Sequence, residues 1–472
     1  MKVEVTNTLS RVWGTEDEMK QVDDLTSYPV AGAEFSDAYR NGYWDGREHL
    51  LRKSRKGDYH IAPTGVMSEV CAEFPGAEMV DMRRKPTLGL WTAPWLVQPL
   101  RDYQSAAVKA ALKNRGVFSG KGILNLPIRS GKTRTAAALA RALGCRTLFV
   151  VPSDLLLGQT INAFKECFGQ EFQIGMVGEG EYDTKEMVTV ATIQSLLAGL
   201  GSSKHKSDII WLLANVDLLF VDENHHMEGP AWRNIAMQCD AWFKIGLSAT
   251  VFVSRLRENQ SANIWMKAVT GGILYRVSMG RLIKAGMIMA PNITFLRFQH
   301  PQSVKGWSWQ RVVRDCVATC RPRNKLLADV AVKHAREGTR VLIDTGRLDQ
   351  MKELYGYISA MGVEAEVVHG KTPSAKRWKL IEAFQAGDIQ VLIGTVFGEG
   401  IDIPEIEVVI NAEGQKSEVA AIQRMRNLTP HHGKTSVKFY DVMDIGQRHL
   451  AAHSLNKLRL YKGLRGFTVN VI

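Results

Sequence analysis

No stretch of the 472-residue chain approaches the roughly 18 consecutive apolar residues of a membrane-crossing helix, so a membrane-spanning protein is not expected. The opening MKVEVTNTLSRVWGTEDEMK lacks a basic segment followed by an apolar one. It does not read as a secretory leader, and the expected compartment is the cytoplasm. Cysteine is scarce: Cys71, Cys145, Cys167, Cys239, Cys316 and Cys320 are too few for a disulfide scaffold and fit a reducing compartment. Cys316 and Cys320 stand one helical turn apart, but no second Cys/Cys or Cys/His pair of metal-ligand spacing accompanies them, so they read as one helix face. Solenoid periods and low-complexity segments are also missing.

Acid is absent from the last 28 residues, from Ile445 on, which carry Arg448, Lys457, Arg459, Lys462 and Arg465. Such a tail either touches phosphate or forms the solvated face of a closing helix. Over the whole chain 60 Lys and Arg face 48 Asp and Glu, a net charge of +12. That balance favours an anionic partner such as nucleic acid. Residues 1–96 hold 12 basic and 15 acidic residues, so the excess lies downstream.

From about Gly122, short aliphatic runs alternate with helical stretches: GILNL, TRTAAALARAL, RTLFVV, SDLLLGQTINAFKECF, MVTVAT, DLLFVD, FKIGLSAT. This is the βαβ rhythm of a parallel sheet. It returns in RVLIDT, RLDQMKELYGYISAMG, IQVLIGT and EIEVVINA. The reading is an α/β protein with two parallel-sheet domains, over 97–295 and 321–472, the second closed by a basic helix. Polar, aromatic PNITFLRFQHPQSVKGWSWQ places the linker between them at 296–320. Residues 1–96 show mixed short segments and turn signals, as expected of a small α+β accessory domain. There Arg40, Arg47, Arg52, Lys53, Arg55 and Lys56 surround Tyr43 and Trp44. This pattern suits either phosphate contact with base stacking or the solvated edge of a hairpin.

Strand GILNL runs into Pro127-Ile128-Arg129-Ser130-Gly131-Lys132-Thr133 and then a helical stretch. Backbone N–H groups and a helix N-terminus here can cradle phosphates, Lys132 can reach the β and γ oxygens, and Thr133 can ligate Mg²⁺. Leu126 stands where the strict pattern has its first glycine. Ninety residues on, the apolar run LLFV ends in Asp222-Glu223-Asn224-His225, at the ligand edge of a parallel sheet. Asp222 can hold Mg²⁺ and Glu223 can activate water, which with Lys132 and Thr133 suits phosphoanhydride hydrolysis.

With Asp222-Glu223-Asn224-His225 as a DExH box, the chain resembles the superfamily 2 helicases. Leu100-Arg101-Asp102-Tyr103-Gln104 is similar to the adenine-reading Q-motif region. Val151-Pro152-Ser153 and Ala191-Thr192-Ile193-Gln194-Ser195 resemble the strand-tracking motifs, and Ser248-Ala249-Thr250 the SAT motif. In the second domain Asp344-Thr345-Gly346-Arg347 is similar to motif IV, His369-Gly370-Lys371 to the following HGK, and Gly394-Thr395 through Gly400-Ile401-Asp402-Ile403-Pro404 to motif V. Phe35-Ser36 with Tyr39 to Arg47, and the tail with His453, Arg459, Tyr461 and Phe467, resemble the UvsW-type helicases of tailed phages. Motif VI departs from the family: Gln423-Arg424-Met425-Arg426-Asn427-Leu428-Thr429-Pro430 lacks the expected glycine. A one-residue gap there puts Arg426 at the first finger position and Thr429 at the second, with Arg424 the competing candidate for the finger.

The resemblance implies two RecA-like domains binding ATP and Mg²⁺. The first would supply Arg101, Gln104, Arg129, Ser130, Gly131, Lys132, Thr133, Asp222 and Glu223, the second Gly400, Asp402, Gln423 and Arg426. Strand contacts would come from Pro152, Thr192, Gln194, Thr345, Gly346, Lys371 and Thr395, with Arg40, Trp44 and Arg47 of the N-terminal domain. The implied activity is that of a monomeric ATP-driven helicase remodelling branched or duplex DNA and unwinding RNA–DNA hybrids. Two rivals stay open: a double-strand translocase that separates no strands, and an ATP-gated DNA-binding protein with impaired turnover.

Overall fold

The computed structural model describes every residue except 31, 90–98, 115–117, 250–259, 301–305, 395–402, 416–417, 426–427, 432–433 and 435; for 260–262, 374, 418–419 and 423 it describes the backbone alone. The chain forms two compact units, Met1–Val277 and Ser278–Ile472.

The first unit holds an eight-stranded sheet ordered Glu181–Tyr182, Gly175–Gly178, Val188–Thr192, Thr147–Val151, Leu218–Asp222, Phe243–Ser248, Lys121–Asn125 and Ile273–Arg276. All neighbours run parallel except the first pair. The central strands are buried from end to end, which is why they read as unbroken apolar runs rather than alternating ones. Parallel pairing brings Asn125, Val151, Thr192, Asp222 and Ser248 to one edge of the sheet.

The N-terminal residues build a separate five-stranded sheet, ordered Arg52–Lys53, His60–Pro63, Leu9–Trp13, Lys2–Val5 and Glu78–Asp81, over a core of Val3, Val5, Val12, Val22, Met67 and Val70. This α+β sheet is fastened into the same unit as the parallel sheet. Asn7 Nδ2 donates to Asp240 O at 3.1 Å, the buried Lys121 donates to Asn7 O at 2.7 Å, and Arg84 pairs with Asp217 at 2.7 Å. Its backbone also passes so near helix Gln260–Thr270 that a Cβ on Gly65 would meet Lys267 O at 2.1 Å.

The second unit holds seven strands, all parallel, in the order Ala365–Val368, Val391–Gly394, Val341–Asp344, Val408–Asn411, Lys438–Ile445, Asn292–Gln299 and Thr468–Val471. Helices Arg321–Arg336 and Leu348–Ala360 pack on it, burying Leu327, Ala331, Met351 and Leu354.

The structure draws the domain boundary earlier than the sequence reading does. Asn292–Gln299, expected to end one domain and begin a linker, is an inner strand of the second sheet, hydrogen-bonded on both sides. Its Ile293, Phe295, Leu296 and Phe298 are buried, so the aromatics that looked irregular are core. The expected linker continues into helices Trp309–Val312 and Val313–Ala318. Cys316 and Cys320 do not share a helix face: Cys316 lies in the second of these, while Cys320 caps the helix after it. Among the described residues no helix is long and apolar enough to cross a membrane.

Candidate nucleotide site and nucleic-acid contacts

Strand Lys121–Asn125 and helix Lys132–Leu143 hold residues 126–131 between them as a tight loop. Gly131 caps the helix at φ +77°, a left-handed conformation that calls for glycine, and a Cβ there would also displace the Gln104 amide, whose Nε2 would lie 2.6 Å away. Arg129, at φ +64°, also takes a left-handed conformation. Ser130 ties the loop back on itself, its N and Oγ both donating to Pro127 O. A helix N-terminus capped without a side chain leaves first-turn N–H groups and a positive dipole end for an anion.

Helix Asp102–Lys113 braces the loop from outside. Tyr103 OH donates to Ser130 O at 2.7 Å, and Gln104 Nε2 donates to Ser130 O at 3.0 Å and to Gly131 O at 3.4 Å. Gln104 Oε1 accepts from Arg101 N at 3.0 Å, while Arg101 Nη1 donates to Tyr103 OH at 3.1 Å. Gln104 is therefore buried and engaged with loop backbone. The sequence reading named Tyr103 in the same string as Gln104 but gave it no role.

At the neighbouring strand end, Lys132 Nζ stands 2.5 Å from Glu223 Oε1. Glu223 has φ +48°, and its N donates to Asp222 Oδ1 at 3.1 Å. Among the described residues three non-glycines have positive φ, and two of them, Arg129 and Glu223, belong to this site. Strained backbone gathered where a ligand would sit is a mark of function. His225 Nδ1 lies 3.5 Å from Glu223 Oε2 and its ring lies beside His226, which stacks on Trp232. The sequence reading named His225 within the Asp222-Glu223-Asn224-His225 string but gave it no role of its own. Asn224 turns inward to Thr270, pressed against Gly246.

The donor set fits a magnesium–nucleotide group. Lys132, the cradle and Thr133 of the first turn can hold phosphate oxygens and a cation, with Asp222 and Glu223 opposite. Magnesium would supply charge neutralisation of the phosphates.

Residues 98–253 match the family model described as type III restriction enzyme, res subunit, and residues 323–426 that of the helicase conserved C-terminal domain. The chain is 25% identical over 464 residues to the ATP-dependent DNA helicase uvsW of Enterobacteria phage T4, covering 91% of this chain and 87% of that one. It is 24% identical over 403 residues to the DNA 3'-5' translocase XPB2 of Sulfurisphaera tokodaii, covering 76% and 84%. Its fold resembles S. cerevisiae Dbp5 bound to RNA and ADP BeF3, with a TM-score of 0.55, 18% identity, and 80% and 90% of the two chains covered.

The chain belongs to the superfamily 2 helicases. It is an ATP-hydrolysing helicase.

The helicase's expected strand contacts divide on inspection. Gln194 is exposed at the sheet edge, its amide donating to Pro152 O at 3.3 Å, and Gly346 and Lys371 are exposed in the second unit. Thr192 is instead buried as a helix cap, bonded to Ser195. Thr345 is fully buried, its hydroxyl donating to Gln350 Oε1 at 2.5 Å. In the N-terminal region the Arg47 fork is spent on Ser27, with three donations of 2.9 to 3.0 Å. Trp44 Nε1 donates to Arg47 O at 2.7 Å. Those four side chains were expected to meet nucleic acid, but the fold gives each an internal partner. Arg40, Arg52, Lys53, Arg55 and Lys56 stay exposed, and Tyr43 is 86% exposed.

Thr395, Gly400, Asp402 and Arg426 lie outside the described residues, as does the side chain of Gln423. Arg424 is described and half-buried, between two buried carboxylates: its Nε is 3.0 Å from Asp344 Oδ2, and its Nη2 pairs with Glu413. Burial works against its charge, but the two carboxylates outweigh burial and hold its pKa above the ordinary value. Burial pushes the Glu413 carboxyl up, with Arg424 opposing.

Proposed function

We propose that this ATP-dependent DNA helicase remodels branched DNA at forks or junctions, acts as a monomer, and unwinds RNA–DNA hybrids as a second activity. The observation that carries the reading is the Lys132–Glu223 pair beside a glycine-capped helix, in a chain aligned along 91% of its length with a phage DNA helicase. Lys132 would pass from Glu223 to the incoming phosphates, leaving Glu223 to take a proton from the attacking water. Thr133 and Asp222 would hold Mg²⁺, and Arg426 would steady the charge of the transition state. Pro152 and Gln194 would track the strand, and the exposed N-terminal cations would hold duplex arms.

A translocase that separates no strands is the second reading, favoured by the likeness to XPB2. ATPase stimulation by single-stranded, duplex, forked, four-way and RNA–DNA substrates, with strand displacement run beside triplex displacement, tests both. Greatest stimulation by forked or four-way DNA, together with strand displacement, supports the proposal. Triplex displacement without strand separation would leave the translocase.

A further inference from the structure

The acid-free tail is sorted by helix Arg448–Gly463. At about 100° per residue, Leu450, Ser454, Lys457 and Tyr461 share one face, and all four are buried. Lys457, the cation on that face, pairs with Asp441. Arg448, Leu455, Arg459 and Lys462 lie on the opposite face, and all are exposed. Three cations thus stand in one line over about 21 Å of rigid helix. Arg465 follows beyond the helix end, also exposed. Among the described residues no carboxylate pairs with any of these four, so the line carries uncompensated charge. Trp309, 37% exposed, flanks it, its ring 4.8 Å from that of His453.

We propose that this stripe binds the sugar–phosphate backbone of duplex DNA, a contact additional to those of the helicase motifs. The inference rests on the reading of the chain as a DNA motor. A straight, rigid row of positive charge complements a straight, rigid polyanion. B-form duplex presents about one negative charge per 1.7 Å of axis, hence roughly twelve along the stripe, and releases counterions as cations replace them. Leu455, exposed between the cations, and Trp309 at the flank suit the apolar faces of the sugars.

The test is the full-length R448A/R459A/K462A variant, compared with wild type for duplex and single-strand binding across a salt series. The slope of log K against log salt for duplex is expected to fall by up to about 2.7, at about 0.9 per lost phosphate contact. ATP hydrolysis without DNA should be unchanged, and R448K/R459K, which keeps all three cations, should keep the wild-type slope. An unchanged duplex slope in the alanine variant, or a loss confined to single strands, overturns the proposal. A wild-type chain that no DNA stimulates or binds sinks the motor reading instead, and this inference with it.

Discussion

Lys132 Nζ and Glu223 Oε1, ninety-one residues apart in the chain, meet at 2.5 Å. The cation expected at phosphate and the carboxylate expected to activate water thus pair with one another. Glu223→Gln should retain ATP binding while turnover falls by at least about 100-fold, the scale of lost general-base catalysis. Lys132→Ala should lose turnover too, with DNA binding largely kept in both variants. Steady-state hydrolysis beside nucleotide and DNA binding checks this, and near-normal hydrolysis by Glu223→Gln would show that the base is another group.

Gln104 has its carboxamide engaged with Arg101 N, Ser130 O and Gly131 O. Removing it should loosen the phosphate loop, so Gln104→Ala is expected to weaken ATP and GTP alike. Competition binding with both nucleotides reads this out. Loss of ATP preference with GTP affinity intact would mean that Gln104 reads adenine.

Arg424 bridges Asp344 and Glu413 inside the second unit. Removing it leaves the buried Asp344 and Glu413 carboxylates uncompensated, a loss of about 3–5 kcal/mol, so Arg424→Ala should unfold at markedly lower denaturant. Arg426→Ala should leave stability alone and lower DNA-stimulated turnover by about 10³ to 10⁵, as befits an arginine finger. Denaturant midpoints and saturating ATPase rates separate the two. A stable Arg424→Ala with collapsed turnover would move the finger to Arg424.

Exposed N-terminal cations should add duplex affinity through Arg52, Lys53, Arg55 and Lys56, each removal flattening the salt slope by about 0.9. Arg47→Ala should act on stability instead, since its fork braces Ser27. Surface substitutions are the right tool, because cutting the chain near Trp95 would strip the partners from Lys121 and Asp217. Salt titrations of the quadruple alanine variant decide it: an unchanged slope would leave this region a purely structural part.

Lys244 is wholly buried, donating to Ala236 O at 2.9 Å and Thr8 Oγ1 at 3.1 Å, and burial pushes it down to about 8 from 10.5. Its register partner Lys121 is lowered as well, again mainly by burial. Between pH 8 and 10.5 the unfolded chain binds the Lys244 proton and the folded chain does not. Stability from this group therefore rises with pH through that window, by up to about 1.4 kcal/mol per unit, and its penalty is fully present below it. Urea unfolding of wild type and Lys244→Met at pH 8 and 9.5 should show a larger rise in wild type than in the variant, where Lys121 still contributes, and equal rises would refute it.

What could be read directly from the sequence was local. A phosphate loop, an apolar strand ending in two acids, and the βαβ rhythm each occupy contiguous residues whose backbone geometry follows from neighbouring side chains. The α/β class, the RecA-like sheets and Lys132, Gly131, Asp222 and Glu223 were legible for that reason. Tertiary structure alone decided what each polar side chain does once packed. Arg47, Thr192 and Thr345 looked like nucleic-acid contacts, yet the buried threonines must find partners and the half-buried Arg47 fork has found one in Ser27, all of them internal. Strand Asn292–Gln299 joined the second sheet because its hydrogen-bonding neighbours begin 438 and 468 residues along the chain, a pairing that no local pattern encodes. The tail's charges were visible as a list, but only the packing of one helix turned Lys457 inward and set Arg448, Arg459 and Lys462 in line. Composition counts charges, whereas the fold chooses which of them water still reaches.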